Sequence, residues 1–328
     1  MNYGDLIGDA FRITLRNRYL WVFGFFVGGT GSNFFGNVPT SAGNFNPNDF
    51  QQSGSGLSAQ VGQGVFANAV LVVGIVLVVL LIALFFIFMA IVSQGALADS
   101  VAAIDRGEGR RFGSAFGTGM ANFWRVLGYY VVFFLVALGL LVVIGIPVAL
   151  LIGGTFAATE SAGARVSVAV VVGLLAFLLL IAVFVPLYII GQYALRDIVV
   201  RRGRVLGSVG SGYSLFRRNI GSSLLLWLIQ IGLTIGIGIA FILVVLIVGL
   251  VLAIPAIALA VADYSTGAII AGVIAGLILL PLLLAAAGAI GTFSHAYWTL
   301  AYLRLTAPPA ETTTATPTTP PGPFPTTG

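Results

Sequence analysis

The sequence predicts an all-α, polytopic membrane protein of about six transmembrane helices, built as three repeats of an interfacial amphipathic helix plus a helical pair. Three observations carry that expectation. Apolar residues make up 59% of the chain and charged ones only 8%, whereas soluble domains carry about 25% charged residues, so the solvent is lipid. Several apolar runs exceed the roughly 20 residues that cross a hydrocarbon core about 30 Å thick. An arginine-bearing amphipathic segment also recurs ahead of every second run.

Taken in order, the first apolar run covers only residues 19–30. It crosses a bilayer only if the helix continues through Phe34 and Phe35 or the bilayer thins. A cleaved signal peptide is the rival reading, since Arg12, Arg16 and Arg18 precede it, although Asp5 and Asp9 interrupt the basic region and no A-x-A site follows. The remaining runs, 65–92, 126–154, 166–195, 220–262 and 268–303, contain no charged side chain and a single histidine, His295. Residues 220–262 would extend about 64 Å at 1.5 Å per residue, about twice one crossing. One long helix with a break before Pro255 is expected there, because no polar turn divides it; two short spans are the alternative.

All fifteen basic residues are arginines. Three precede the first run, four lie near 94–125, six near 195–219 and one at the C-terminal end, while the other side receives only Arg165. That asymmetry predicts both termini on the cytoplasmic side of a plasma membrane, with the loop at 31–64 facing outward. Arginine without lysine, beside abundant Gly, Ala and Val, points to a bacterial source. Residues 306–328 read TAPPAETTTATPTTPPGPFPTTG, a Pro/Thr-rich stretch without the apolar content for a core, and are expected to form a disordered cytoplasmic tail. Residues 1–305 then form one membrane domain, with repeats at about 5–106, 107–203 and 204–305.

The repeated segments read IGDAFRITLRNRYLWVFG from Ile7, FGSAFGTGMANFWRVLG from Phe112 and LGSVGSGYSLFRRNIG from Leu206. In the first, Leu6, Ile7, Ala10, Phe11, Thr14 and Leu15 share a helical face opposite Asp5, Asp9, Arg12 and Arg16. The second groups Phe112, Phe116, Met120 and Phe123, and the third Leu206, Val209, Tyr213 and Phe216. Such helices lie at the headgroup boundary with arginines near anionic phosphates, so Arg12, Arg16, Arg110, Arg111, Arg201, Arg202, Arg217 and Arg218 are the candidate lipid contacts.

A second signature closes two runs: S-Q-G-A-L-A-D at 93–99 and G-Q-Y-A-L-R-D at 191–197, with a short helix expected after each, ending at Gly107 or Gly203. His295 stands where Gln94 and Gln192 stand, and these three are expected to form one inward-facing polar layer near the cytoplasmic surface. Gln94, Gln192 and Gln230 fit interhelical hydrogen bonding. The steps Gly232 to Gly236 and Gly272 to Gly276 match G-x-x-x-G and suggest close helix contacts.

The repeated G-x-A-F, R-x-x-x-W and A-L-x-D phrases resemble a family of uncharacterised bacterial multi-pass proteins related to the membrane domain of glycerophosphoryl diester phosphodiesterases. The resemblance covers residues 1–305 and implies a helical membrane domain, in some members fused to a catalytic barrel. No barrel is present here, and one histidine cannot supply the paired histidines and carboxylates of the diesterase chemistry.

Ionisable groups stand at or beyond the ends of the runs, so no intramembrane proton relay is expected. A lone His without a second, and no Cys, leave no metal site, no thiol nucleophile and no cofactor expectation. Walker, G-x-S-x-G and H-E-x-x-H motifs are absent, and the arginines form no nucleic-acid stripe. The leading expectation is a non-enzymatic accessory protein that engages lipids, anionic headgroups above all, or a partner. The alternative is a transporter or permease for a small neutral or lipid-like substrate, using the breaks at Pro147, Pro186, Pro255 and Pro281. A cavity reaching mid-membrane and lined by Gln230, Thr234 and tyrosines would favour transport; a solid bundle would favour the accessory role.

Overall fold

The computed structural model describes residues 2–31 and 65–307. The loop expected to face outward, after Gly31, and the expected tail after Ala307 lie outside the described residues. Among the described residues every element is helical: α1 (Tyr3–Arg16), α2 (Leu20–Gly24) running on as a π-helix (Phe25–Gly31), α3 (Val65–Asp105), α4 (Phe112–Ala121), α5 (Phe123–Ala158), α6 (Ala162–Val200), α7 (Val205–Arg218), α8 (Ile220–Val261) and α9 (Ser265–Thr306). Thr306 belongs to the last turn of α9 rather than to the tail.

Five helices, α3, α5, α6, α8 and α9, are long and apolar enough to cross a membrane. The segment 20–31 is much shorter than a crossing and lies against α9 and α3. Residues 220–261 form one uninterrupted helix of 42 residues with Pro255 inside it, so the chain does not divide there into two spans.

Burial divides the molecule lengthwise. The core is built from the final turns of α3, α6 and α9, the first turns of α5 and α8, and the short helices α1, α2, α4 and α7. Beyond this base the long helices project as apolar arms; every residue from 73 to 82 is exposed. A helix facing water would hide one apolar stripe. These arms are apolar on all sides, as a helix in hydrocarbon is, and such an area is not maintained in water.

Of the short helices, α1, α4 and α7 each end on an asparagine whose side-chain amide donates to a carbonyl four residues back: Asn17 to Ile13 at 3.0 Å, Asn122 to Thr118 at 3.0 Å and Asn219 to Leu215 at 3.2 Å. Seven residues before each asparagine stands a small buried residue, Ala10, Ala115 or Gly212, and three before it Thr14, Gly119 or Phe216, also buried. This geometry moves the third segment by three residues, so that Gly210, not Gly207, stands with Gly8 and Gly113. It also divides the expected membrane-facing stripes. Leu6, Ala10 and Thr14 pack into the protein, while Phe11, Leu15, Phe112, Met120, Leu206 and Tyr213 remain exposed.

The close helix contacts are not at the G-x-x-x-G steps. A methyl group added at Gly232, Gly236, Gly272 or Gly276 would meet nothing within 4 Å. Close approach occurs where Gly288 faces the backbone of Trp21, where Gly24 faces Gly288 and Thr292, and where Gly28 faces Gly291. Thr292 Oγ1 donates to the Leu20 carbonyl at 3.0 Å across this seam. The first segment is thus seated on α9 by small residues that let two backbones meet.

No separate short helix follows either Q-x-A-L-x-D signature; α3 and α6 simply continue through Asp99 and Asp197. Gly107 takes the left-handed conformation that closes α3 (φ 81°), but at the end of α6 that role falls to Arg202 (φ 54°) and not to Gly203.

Candidate functional site

The helices α3, α6 and α9 all run toward the base. At one depth each carries one of the three residues expected as a polar layer, and the structure brings all three together: Gln94, Gln192 and His295 line a single cavity of about 520 Å³. Its volume lies within the range of pockets that hold one small molecule.

The wall of this cavity changes in character along its length. On α3, Ala83, Phe86, Ile87, Ala90, Ile91 and Gln94 recur at three- and four-residue spacing and present one face. From position 83 to 94 the helix advances about 16 Å, passing from wholly apolar lining to an amide. Val27 and Gly28 of the π-helix continue the apolar side, and Leu127 in the first turns of α5 adds an apolar residue nearer the base. Tyr130, Tyr188, Ser294 and Trp298 join Gln192 and His295 on the polar side.

The Gln94 Oε1 acceptor is buried without a hydrogen-bond partner, and the Trp298 indole N–H has none closer than the neighbouring Tyr188 hydroxyl. Trp298 is 1% exposed, fixed edge-on against Tyr188, Tyr193 and Tyr297. Unmatched polar atoms in a buried site are uncommon and costly. Gln94 of α3 and Trp298 of α9 both belong to the wall of this cavity.

Behind Gln192 and His295 stands Arg196, wholly buried. One terminal nitrogen donates to both the carbonyl and the side-chain Oε1 of Gln192; the other approaches His295 Nδ1 at 3.5 Å. Arginine only donates, so Nδ1 acts as the acceptor and the ring proton of a neutral His295 is on Nε2. The Arg196 Nε has no partner, and the guanidinium forms no ion pair among the described residues. The adjacent Asp197 is turned away and accepts from the Tyr302 hydroxyl at 2.8 Å. The expectation that every arginine sits at a solvated end therefore fails at Arg196. Its signal was present in the sequence: the two signatures differ at this position, A-L-A-D against A-L-R-D, and a spacing of four puts Arg196 on the face of Gln192 and Tyr188.

Gln230 and Thr234 are not in the cavity. The Gln230 amide donates to Ser294 Oγ at 2.9 Å across the α8–α9 contact, while Thr234 back-bonds to the Gln230 carbonyl within α8. All four helix prolines lie inside continuous helices.

Of the candidate lipid contacts, Arg12, Arg16, Arg111, Arg201, Arg202, Arg217 and Arg218 are exposed around the base. Arg12 pairs with Asp9 at 3.4 Å, and Arg201 lies over the Tyr302 ring. Arg110 departs from the expectation: it is largely buried in a 3.0 Å ion pair with Asp99, which joins the α3–α4 turn to the end of α3. At that turn Arg106 donates to Glu108 at 2.8 Å and holds its carboxyl below the usual carboxylate range. Among the described residues no group of three His, Cys, Asp or Glu side chains could hold a metal ion.

A family model, described as a family of unknown function (DUF7544), matches residues 17–309. The chain belongs to this family. The DUF7544 match begins at the asparagine cap of α1 and takes in the whole cavity and Arg196. No curated protein and no solved structure matches the chain.

Proposed function

We propose that this protein is a non-enzymatic, lipid-engaging membrane protein that holds one amphipathic molecule in the cavity between α3, α6 and α9. The observation that carries this reading is the cavity's graded wall along α3, apolar toward the arms and ending at the base in Gln94, whose Oε1 is buried and unmatched. A hydrocarbon chain fits the first part and a hydrogen-bonding headgroup the second.

In this reading the base faces the cytoplasm of a bacterial cell, as the arginine asymmetry suggests, and the five arms and the first segment stand in the plasma membrane. The exposed arginines beside Phe11, Leu15, Phe112 and Leu206 then meet anionic headgroups. The three asparagine-capped helices with their following spans are three copies of one unit, and the Gln94, Gln192 and His295 layer is where those copies converge. Membrane proteins built from internal repeats commonly place sites at such an interface. The resemblance to the membrane domain of glycerophosphoryl diester phosphodiesterases accords with a lipid-associated role that needs no catalytic barrel. Transport is the weaker reading, because the prolines do not interrupt their helices and Gln230 and Thr234 lie outside the cavity.

The test is reconstitution into liposomes of mixed lipid, re-extraction, and mass spectrometry of what remains bound. Ala90 lines the apolar wall, and Ala90→Trp fills it. Wild type should retain one amphiphile per chain, and Ala90→Trp should lose it with thermal stability unchanged. An identical lipid complement on both proteins would exclude the cavity as the binding site.

A further inference from the structure

A buried positive charge stands directly behind the cavity wall. Arg196 is a guanidinium taken out of water, with 0% exposure and no carboxylate paired to it among the described residues. Leaving a buried cation without a counter-ion is costly, and proteins resolve this with an acid, a neutralised group or a bound anion. Among the described residues no acid is supplied: Asp197 faces Tyr302, Asp99 is engaged by Arg110, and Asp9 is engaged by Arg304 and Arg12. The two side chains that Arg196 touches, Gln192 and His295, are themselves cavity wall. An anion seated among Gln94, Gln192, His295 and Trp298 would lie one side-chain layer from the guanidinium.

We propose that the cavity selects an acidic single-chain amphiphile, whose carboxylate or phosphate monoester serves as the counter-ion of Arg196 while its acyl chain lies along Ala83, Ile87 and Ala90. This rests on the lipid-engaging reading above and adds the headgroup's charge. One chain is expected because the cavity holds about 520 Å³, the size of one small molecule. The same anionic chemistry could come from a membrane-derived acid or from free phosphate, and the probes separate them.

The experiment is native mass spectrometry of the full chain in nonionic detergent, titrated in parallel with palmitate, with the neutral 1-monopalmitoylglycerol and with inorganic phosphate. Palmitate should bind one per chain and at least tenfold more tightly than the monoglyceride, with inorganic phosphate weaker than either. Arg196→Gln should weaken palmitate at least tenfold and leave the monoglyceride unchanged, and Arg196→Lys should restore much of the loss. Equal affinity for the two acyl probes in wild type would overturn charge selection while leaving the lipid-binding reading intact. Binding of phosphate as tightly as palmitate would overturn the amphiphile. Failure of both acyl probes, with Ala90→Trp behaving as wild type, would remove the lipid-binding reading itself. Should Arg196→Gln not fold, the wild-type comparison of charged and neutral probes decides alone.

Discussion

Substituting Gly288→Ala tests how the first segment is held, because the outcome depends on one methyl group against one backbone. In the structure a methyl at Gly288 would run into the carbonyl group of Trp21, and that backbone cannot swing aside as a flexible side chain would. Trp21 is further fixed by its indole N–H, which donates to the Thr14 carbonyl at 2.8 Å. Overpacking of this kind costs about 1–3 kcal/mol, and the absence of a soft neighbour puts Gly288→Ala toward the upper end. At about 2–4 °C per kcal/mol for a chain of this order of size, the melting temperature should fall by roughly 5 °C or more. The paired control is Gly276→Ala, on the same helix in open surroundings; there the better helix propensity of alanine leaves the melting temperature unchanged or slightly raised. Both variants are to be melted in the same detergent, with light scattering and tryptophan fluorescence as probes. A Gly276→Ala variant as damaged as Gly288→Ala would refute the seam at residues 21–28 and 288–292, and would return the contact to the G-x-x-x-G step.

Two more substitutions address the same framework. Arg202 occupies the left-handed region at φ 54° at the end of α6, a conformation that glycine adopts without steric cost, so Arg202→Gly should stabilise by about 0.5–1 kcal/mol; a lowered melting temperature would show that Arg202 contributes contacts outweighing its strain. Thr292→Val keeps the shape but removes the hydroxyl that donates to Leu20 and Gly288. The expected loss is about 0.6 kcal/mol, the average for an interhelical hydrogen bond in a membrane protein, and a loss several times larger would mean that Thr292 organises the seam rather than adding to it.

The lengths of the apolar runs were enough to anticipate α3, α5, α6, α8 and α9, since only a span needs so many uncharged residues in a row. Convergence of Gln94, Gln192 and His295 was also legible, because a polar side chain on an otherwise apolar helix turns inward. Other features were hidden for a physical reason. Helices that are apolar on every side have no hydrophobic face to read, so nothing in the sequence marks which glycines touch a neighbour, and Gly288 and Gly291 look no different from Gly272 and Gly276. The short helices present two apolar faces, one to protein and one outward, and a count of apolar positions merges them. Two glycines close together in LGSVGSG left the register of the third segment open until the Asn219 cap fixed it. Arg196 stands among many end-of-span arginines, and its place in A-L-R-D against A-L-A-D and its spacing of four from Gln192 are what distinguish it.

The most direct test of the account is photolabelling in intact membranes with a diazirine-bearing fatty acid, followed by mapping of the labelled peptides. Lipid contact will label the exposed arms in any case, so the decisive quantity is saturation. Labelling at residues 83–94 and 291–298 should saturate, be displaced by excess palmitate and vanish in Ala90→Trp, while labelling of the arms rises without limit. Labelling of those two stretches that is neither saturable nor affected by filling the cavity would contradict a ligand held between Gln94, Gln192 and His295.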